Sequence, residues 1–407
     1  MRGHLDIIDP VHGFVSVSGA EVELIDLPAF QRLRRIRQLS GAHLVYPGAQ
    51  HTRFEHSLGV MHVAGQMARF LGDRGILGPG EAEALRLSSL LHDIGHGPFS
   101  HLFEEVYRRG SGFSHEDMGR KIIEETEVGD VLEASGHAKK TVAGLAFGGP
   151  GPKYAAEIVS GALSADIMDY LPRDGHFTGA EHARIDSRRI VQSLDVYGDR
   201  LALERSALYS FESMMHSRYQ MFKAVYFHKT VRAAEVILLE AMELAEGELG
   251  LTSGGLDDYL GLTDEAVLSG LLSLEGGGDP GRARAFAEDY LNRRLPKCVY
   301  ERIKPVPGGT GVVDTAGIRG EISRKSGVDP SEIFVDDSMA PSVPLPPKDV
   351  RQSVMLMDHG RNVKEVPMQE MPLVAAMSEF TDILRVYATS GARNKVEIAA
   401  RSILGER

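Results

Sequence analysis

From Glu21 to about Leu244 the apolar residues recur at helical spacing, interrupted only by turn clusters such as 46-YPGAQ-50, 72-GDRGILGPGE-81 and 147-FGGPGPK-153. Periodicity sustained over that length leaves a helical domain as the solution, because each amphipathic helix must bury its apolar stripe against others. Both ends read differently. Residues 6-DIIDPVHGFVSVS-18 alternate around Pro10 and Gly13, the pattern of a short hairpin or extended arm, and do not look like core. Beyond 246-EGELGLTSGG-255 the helical pattern runs through 279-DPGRARAFAEDYLNRRL-295, with Pro280 in the first turn where proline is tolerated. Between Val299 and Val366, β-branched runs and Pro-rich joints such as 341-PSVPLPP-347 predict a small antiparallel sheet, covered by helices near 372-PLVAAMSEFTDIL-384 and 393-RNKVEIAARSIL-404. The chain therefore reads as mainly α in three parts: an N-terminal arm or hairpin over 1–20, a helical domain over 21–300, and a small α+β C-terminal subdomain over 301–407.

The stretch 87-LSSLLHDIGHGPFSH-101 carries the most chemistry. An apolar helical run delivers His92 and Asp93 side by side, then breaks at Gly95 and Gly97-Pro98. An isolated His-Asp pair is commonly a satisfied helix-end hydrogen bond. Here two other helices supply further candidates. In 53-RFEHSLGVMHVAGQMARFL-71, His56 opens an amphipathic helix with Arg53 at i−3, on the face that suits a phosphate clamp, while His62 reads as a packing residue. In 164-SADIMDYLPRDGHFTG-179, Asp166, Asp169 and Tyr170 fall at i, i+3 and i+4, followed by Arg173 and Asp174. Histidines and carboxylates spread over three helices are what a metal site in a helical core requires. Mixed oxygen and imidazole ligands suit Mn, Fe, Ni or Zn, and Mg where phosphate supplies further oxygens.

The motifs RFEHSLG, LLHDIGHGPFSH, the His115-Glu116 pair and ADIMDYLPRD, in that order, resemble the HD-domain deoxynucleoside triphosphate triphosphohydrolases, the group of the SAM-and-HD-domain and dGTPase-like enzymes. The likeness spans roughly residues 4 to 300 and implies an HD-domain helical core. It implies His56, His92, Asp93 and Asp166 as ligands of a divalent metal, and His96, His101 and His115 as proton carriers beside phosphate, with Glu104 orienting His115. It further implies Arg53, Arg218 and Tyr170 against phosphate or sugar, Gln38 and Asp174 against ribose, and Tyr226, His228 and Lys229 on a helix beside sugar and base. Two departures bear on substrate choice: Ile167 stands where the group has a phosphate-binding lysine, and Phe227 where it has a base-contacting glutamine. For regulation, the resemblance implies a guanine-nucleotide effector at Asp26, Gln31 and Arg34, with Leu5 and Ile8 replacing polar contacts, in a homo-oligomer, dimer or tetramer.

Composition narrows the partners. A net charge of −12 disfavours general nucleic-acid binding despite the local 32-RLRRIRQ-38 patch, and no apolar run is long enough for a membrane span. The lone Cys298 and the lack of an apolar leader point to a reducing cytoplasm. The leading expectation is a metal-dependent hydrolase of dNTPs, releasing deoxynucleoside and triphosphate. Competing readings are an HD phosphohydrolase of another nucleotide ester (a nucleoside monophosphate, a cyclic nucleotide or ppGpp), a nucleotide-sensing scaffold with a vestigial site, and a nuclease.

Overall fold

The computed structural model of the chain describes residues 4–305, 313–341, 353–371, 373–374 and 380–405. Strands β1 (Leu5–Asp9) and β2 (Gly13–Val17) form the antiparallel hairpin expected at the N-terminus. Contrary to expectation it belongs to the core: Val15 and Val17 are buried with Leu24, Phe30 and Leu33, and Asp9 is buried at the turn. Helix α1 (Ala20–Asp26) follows.

The central helix α2 (Arg53–Asp73) starts at Thr52, whose capping box with Glu55 satisfies the first-turn N–H groups. It presents Phe54, Leu58 and Met61 to one core cluster and Val60, Ala64 and Met67 to another, so it is buried nearly all round. Helix α3 (Pro79–Leu91) begins on a first-turn proline and ends against His92. After the loop through Gly95 come α4 (His101–Ser111) and α5 (His115–Glu125). Helix α6 (Ala165–Thr178) packs across α2 at Gly59, where an added Cβ would lie 1.8 Å from Asp169 Oδ1. Glycine here permits the close approach that brings Asp169 behind His56.

The helical region is interrupted by a hairpin that the periodicity reading did not separate, β3 (Leu194–Tyr197) and β4 (Arg200–Glu204), turning at Gly198 with φ 61°. After it come helices α7 (Leu208–Met221), α8 (Lys229–Leu249), α9 (Leu256–Gly261), α10 (Asp264–Ser273) and α11 (Gly278–Leu291).

In the C-terminal part lie β5 (Lys297–Pro305), α12 (Thr315–Ser326), β6 (Ile333–Pro341), β7 (Ser353–Met357), β8 (Val363–Pro367), β9 (Phe380–Ala388) and α13 (Arg393–Leu404). The antiparallel sheet has the order β5-β9-β6. A second sheet, β3-β4-β7-β8, is mixed, because β7 runs parallel to β4. Residues 353–367 thus pair with the hairpin at 194–204 instead of with the other C-terminal strands. The helix expected over 372–384 is corrected in its last residues: 380–388 form the central strand β9, while 375–379 lie outside the described residues, as does most of the Pro-rich joint. The reason is packing on both faces, with Val386 and Ala388 against α12 and α13 and Tyr387 against the α8 cluster. No helix among the described residues is long and apolar enough to cross a membrane.

Candidate metal centre and active site

Three helix ends meet at one point. His56 comes from the first turn of α2, His92 and Asp93 follow the end of α3, and Asp166 is in the first turn of α6. One ligand atom from each of His56, His92 and Asp93 lies within 4.8 Å of the others. Asp166 Oδ1 is 3.2 Å from His56 Nε2 and 3.9 Å from His92 Nε2. Both imidazoles are anchored by their other nitrogen, His56 Nδ1 on Asp169 Oδ2 at 2.8 Å and His92 Nδ1 on the Ser89 carbonyl at 2.8 Å, so both Nε2 atoms face the shared centre. His92 Nε2 is buried without a hydrogen-bond partner. Burial opposes charge on His56, but hydrogen bonds to Asp166 and Asp169 and the charge of Asp93 push it up to about 10. A concentration of negative charge that would otherwise hold a proton on a buried imidazole is what a divalent cation neutralises. The four residues fit one.

Behind His56 lies an ionic lattice built on the fully buried Asp169 and Arg173. Asp169 receives two bonds from Arg173, at 2.9 Å each, and a third contact from His12 Nε2 at 2.6 Å, and Arg173 Nη1 reaches Asp9 Oδ2 at 2.8 Å. The hairpin turn therefore supports the metal-facing imidazole. Burial opposes ionisation of Asp169, yet Arg173 and the bonds from His12 and His56 hold it well below the ordinary carboxylate range. Sequence reading placed Asp169 and Arg173 on one helix surface with Asp166, Tyr170 and Asp174, and overlooked Asp9 and His12. The only local signal was Asp9-Pro10-Val11-His12-Gly13, which looks like an ordinary turn. His62 is half-buried, bonded to Gln66, with its ring 5.2 Å from His12, as a packing residue would be.

The metal-facing residues open into a cleft of about 470 Å³. One wall is built of histidines. His96 and His115 stack at 3.9 Å with planes 14° apart, and His101 stands edge-on to both. One nitrogen from each of the three lies within 4.8 Å of the others, although the parallel planes of His96 and His115 keep their in-plane lone pairs from converging on one point. Burial, with Arg53 and His115 adding to it, holds His96 well below its ordinary value, while the His101 side chain is 73% exposed at the mouth. Glu104 Oε2 takes His115 Nδ1 at 2.9 Å and its other oxygen takes the His115 backbone N–H at 3.2 Å, which turns the far nitrogen of His115 away from α4.

Arg53 is buried, with Nη1 on Asp93 Oδ2 at 2.5 Å and Nε on Ser100 Oγ at 2.7 Å. Gln38, Tyr170, Asp174, Arg218 and Tyr226 line the same cleft, and Gln38 Oε1 and Arg218 Nε are buried without partners. Tyr226 donates to Asp174 Oδ2 at 2.5 Å, and the buried His51 holds the other oxygen at 2.8 Å. His51 was not singled out from sequence. His228 caps α8 by accepting from Thr230 N, and Phe227 lines the cleft. Ile167 is buried in the apolar core and is not part of the cleft lining.

Asp26, Gln31 and Arg34 stand apart from the cleft. Gln31 Nε2 donates to the Ile25 carbonyl, Arg34 Nε to Gln31 Oε1 at 2.9 Å, and the Arg34 guanidinium lies 3.5 Å from the centre of the Phe54 ring. Those polar atoms are engaged within the chain.

The loop after Asp93 tolerates no side chain at Gly95, where a Cβ would meet the His115 carbonyl at 2.0 Å and Gly119 N at 2.3 Å. Gly95→Ala is expected to part α5 from the loop, cost ~1–3 kcal/mol by overpacking, and weaken any turnover with it. Urea unfolding of the variant beside wild type measures this, and an unchanged midpoint would count against it.

Residues 53–174 match the HD domain family, and residues 185–406 match the HD associated region. This chain belongs to the HD-domain family. It is 32% identical over 394 residues to the uncharacterized protein YwfO of Bacillus subtilis, covering 89% of this chain and 86% of that protein. It is 31% identical over 326 residues to the deoxynucleoside triphosphate triphosphohydrolase SAMHD1 homolog of Dictyostelium discoideum, covering 73% of this chain and 60% of that protein. Among solved structures, a phosphohydrolase from Bacteroides thetaiotaomicron superposes with a TM-score of 0.77 at 26% identity, covering 95% of this chain and 100% of that one. The chain carries the helical core of the HD phosphohydrolase family, with His56, His92 and Asp93 grouped as residues able to hold a metal ion.

Proposed function

We propose that this HD-domain protein hydrolyses deoxynucleoside triphosphates to deoxynucleoside and triphosphate, using a divalent cation held by His56, His92, Asp93 and Asp166. The observation that carries the reading is that one cleft unites those four residues, the histidine wall, Arg53 and Arg218, and the Asp174–Tyr226 pair. The likeness to relatives named as deoxynucleoside triphosphate triphosphohydrolases supports it. When bound, the cation supplies Lewis-acid charge that polarises the phosphoryl group and acidifies water. Arg53 and Arg218 neutralise charge that develops on the phosphate chain. Water oxygen bonds to the α-phosphorus, the bond from phosphorus to the 5′ oxygen breaks, and the proton that the water loses passes through the His96–His101–His115 wall to that oxygen. Asp174 and Tyr226 hold the sugar hydroxyl, and Gln38 and Tyr170 complete that end. A guanine-nucleotide effector at Asp26, Gln31 and Arg34, acting across the interface of a dimer or tetramer, forms part of the same proposal.

A second reading, hydrolysis of a different nucleotide phosphate ester, is favoured by Ile167 lying in the core where a phosphate-binding cation would otherwise serve, and by Phe227 in the cleft. The experiment is a product assay of purified protein with each dNTP and NTP, with Mn or Mg, without and with GTP or dGTP. Deoxynucleoside plus intact triphosphate is the expected outcome. Silence on every triphosphate by metal-loaded protein rejects the proposal and leaves the second reading.

A further inference from the structure

The loop between Asp93 and His101 is gripped from a segment far away in the chain. Tyr259 of α9 donates to the Gly95 carbonyl at 2.6 Å. Asp264, the first residue of α10, has no exposed surface and accepts from Phe99 N at 2.7 Å, Arg37 N at 3.1 Å and Arg37 Nη1 at 3.3 Å. An acidic side chain at that helix position ordinarily serves its own helix N-terminus. Here Thr263 takes the cap, accepting from Ala266 N, and Asp264 is left to the loop.

What Asp264 holds is an unusual stretch of backbone. Phe99 and Ser100 are consecutive non-glycine residues with φ of 54° and 57°, a conformation that persists only where surrounding contacts over-determine it and that clusters at functional sites. Ser100 Oγ donates to the Arg37 carbonyl at 2.7 Å and accepts from Arg53 Nε at 2.7 Å. Contacts therefore run without a gap from Asp264 through Phe99 and Arg37 to Ser100, and from Ser100 to the guanidinium in the cleft.

We infer that Asp264 is a positioning residue for Arg53: by fixing the Phe99–Ser100 backbone and Arg37, it sets the plane in which Arg53 meets phosphate. The inference rests on reading Arg53 as a phosphate contact. Asparagine cannot replace it, because one of the two acceptors becomes a donor facing an N–H.

The test is calorimetric titration of inorganic pyrophosphate into the Mn-loaded full chain, comparing wild type, Asp264→Asn, Ser100→Ala, Arg53→Ala and the double variant Asp264→Asn/Arg53→Ala. Asp264→Asn and Ser100→Ala are each expected to weaken binding about ten-fold, the worth of a hydrogen bond to a charged group. The double variant should bind no more weakly than Arg53→Ala alone. A purely structural role would instead lower affinity again in the Arg53→Ala background, and that result, or wild-type affinity in Asp264→Asn, overturns the inference. Should Asp264→Asn not fold, Asp264→Glu, which keeps both acceptors one methylene further out, is read in the same cycle by the same criterion. Failure of wild type to bind pyrophosphate overturns it as well. Because binding is read, an absence of dNTP turnover would reject the proposed function and leave a positive cycle standing.

Discussion

Asp93→Asn is expected to remove bound metal and reduce hydrolysis on the order of a thousand-fold or more, given that even residues one shell behind metal ligands are worth ~10–100-fold. Asp93 is buried, sits 3.3 Å from His92 Nε2 and 3.6 Å from His56 Nε2, and bonds Arg53. No other carboxylate occupies that position, and Asp166 reaches the centre from the opposite helix. Burial opposes its ionisation, yet Arg53, His92 and His96 hold Asp93 well below the usual carboxylate range, so it offers a charge, which the amide cannot. The substitution keeps volume and shape. The far-UV circular dichroism spectrum should therefore match wild type while metal content, read by plasma mass spectrometry, falls away. Full metal occupancy with retained turnover would refute the assignment of the centre.

Arg173→Ala is expected to cost ~3–5 kcal/mol of stability, the usual penalty for leaving buried charges without their partner. Arg173 is fully buried between Asp169 and Asp9, and alanine leaves both carboxylates without its charge. The sign with pH follows from the depressed Asp169. A carboxyl held low contributes stability that is complete above the unfolded Asp value of ~3.9 and is lost as pH falls through the folded value. The deficit of the variant should therefore be large at neutral pH and shrink on acidification. Urea midpoints at the two ends of that range measure it, and a deficit that is small or independent of pH would show the lattice to be dispensable. Because Asp169 also orients His56, metal affinity should fall with stability.

The sites of these predictions differ in how they could be read from the amino acids. Asp93 stood out because an apolar helical run ending in His-Asp-Ile-Gly-His-Gly-Pro is a local arrangement. The helix, its break and the residue types are all set within fifteen positions of one another. The same holds for His56 behind its Thr52–Glu55 capping box, and for Asp166 at a Ser164-capped helix start. The β3–β4 hairpin was missed although 197-YGDR-200 offers a turn signal, because its apolar residues merged into the helical register around them. Residues 380–388 are apolar enough for a helix, and only two-sided pairing with β5 and β6 makes them a strand.

By itself the sequence determined the mainly helical class, the helix starts and breaks, and the set of imidazoles and carboxylates able to serve a cation. Those features depend on neighbours three or four residues apart, where capping and periodicity act. Only the tertiary structure decided that His12 supports Asp169 across 157 residues, that Asp9 meets Arg173 across 164, and that Asp264 holds Phe99 across 165. No local propensity encodes such pairings. They exist because burying a charge is prohibitive unless packing delivers its partner to the same place.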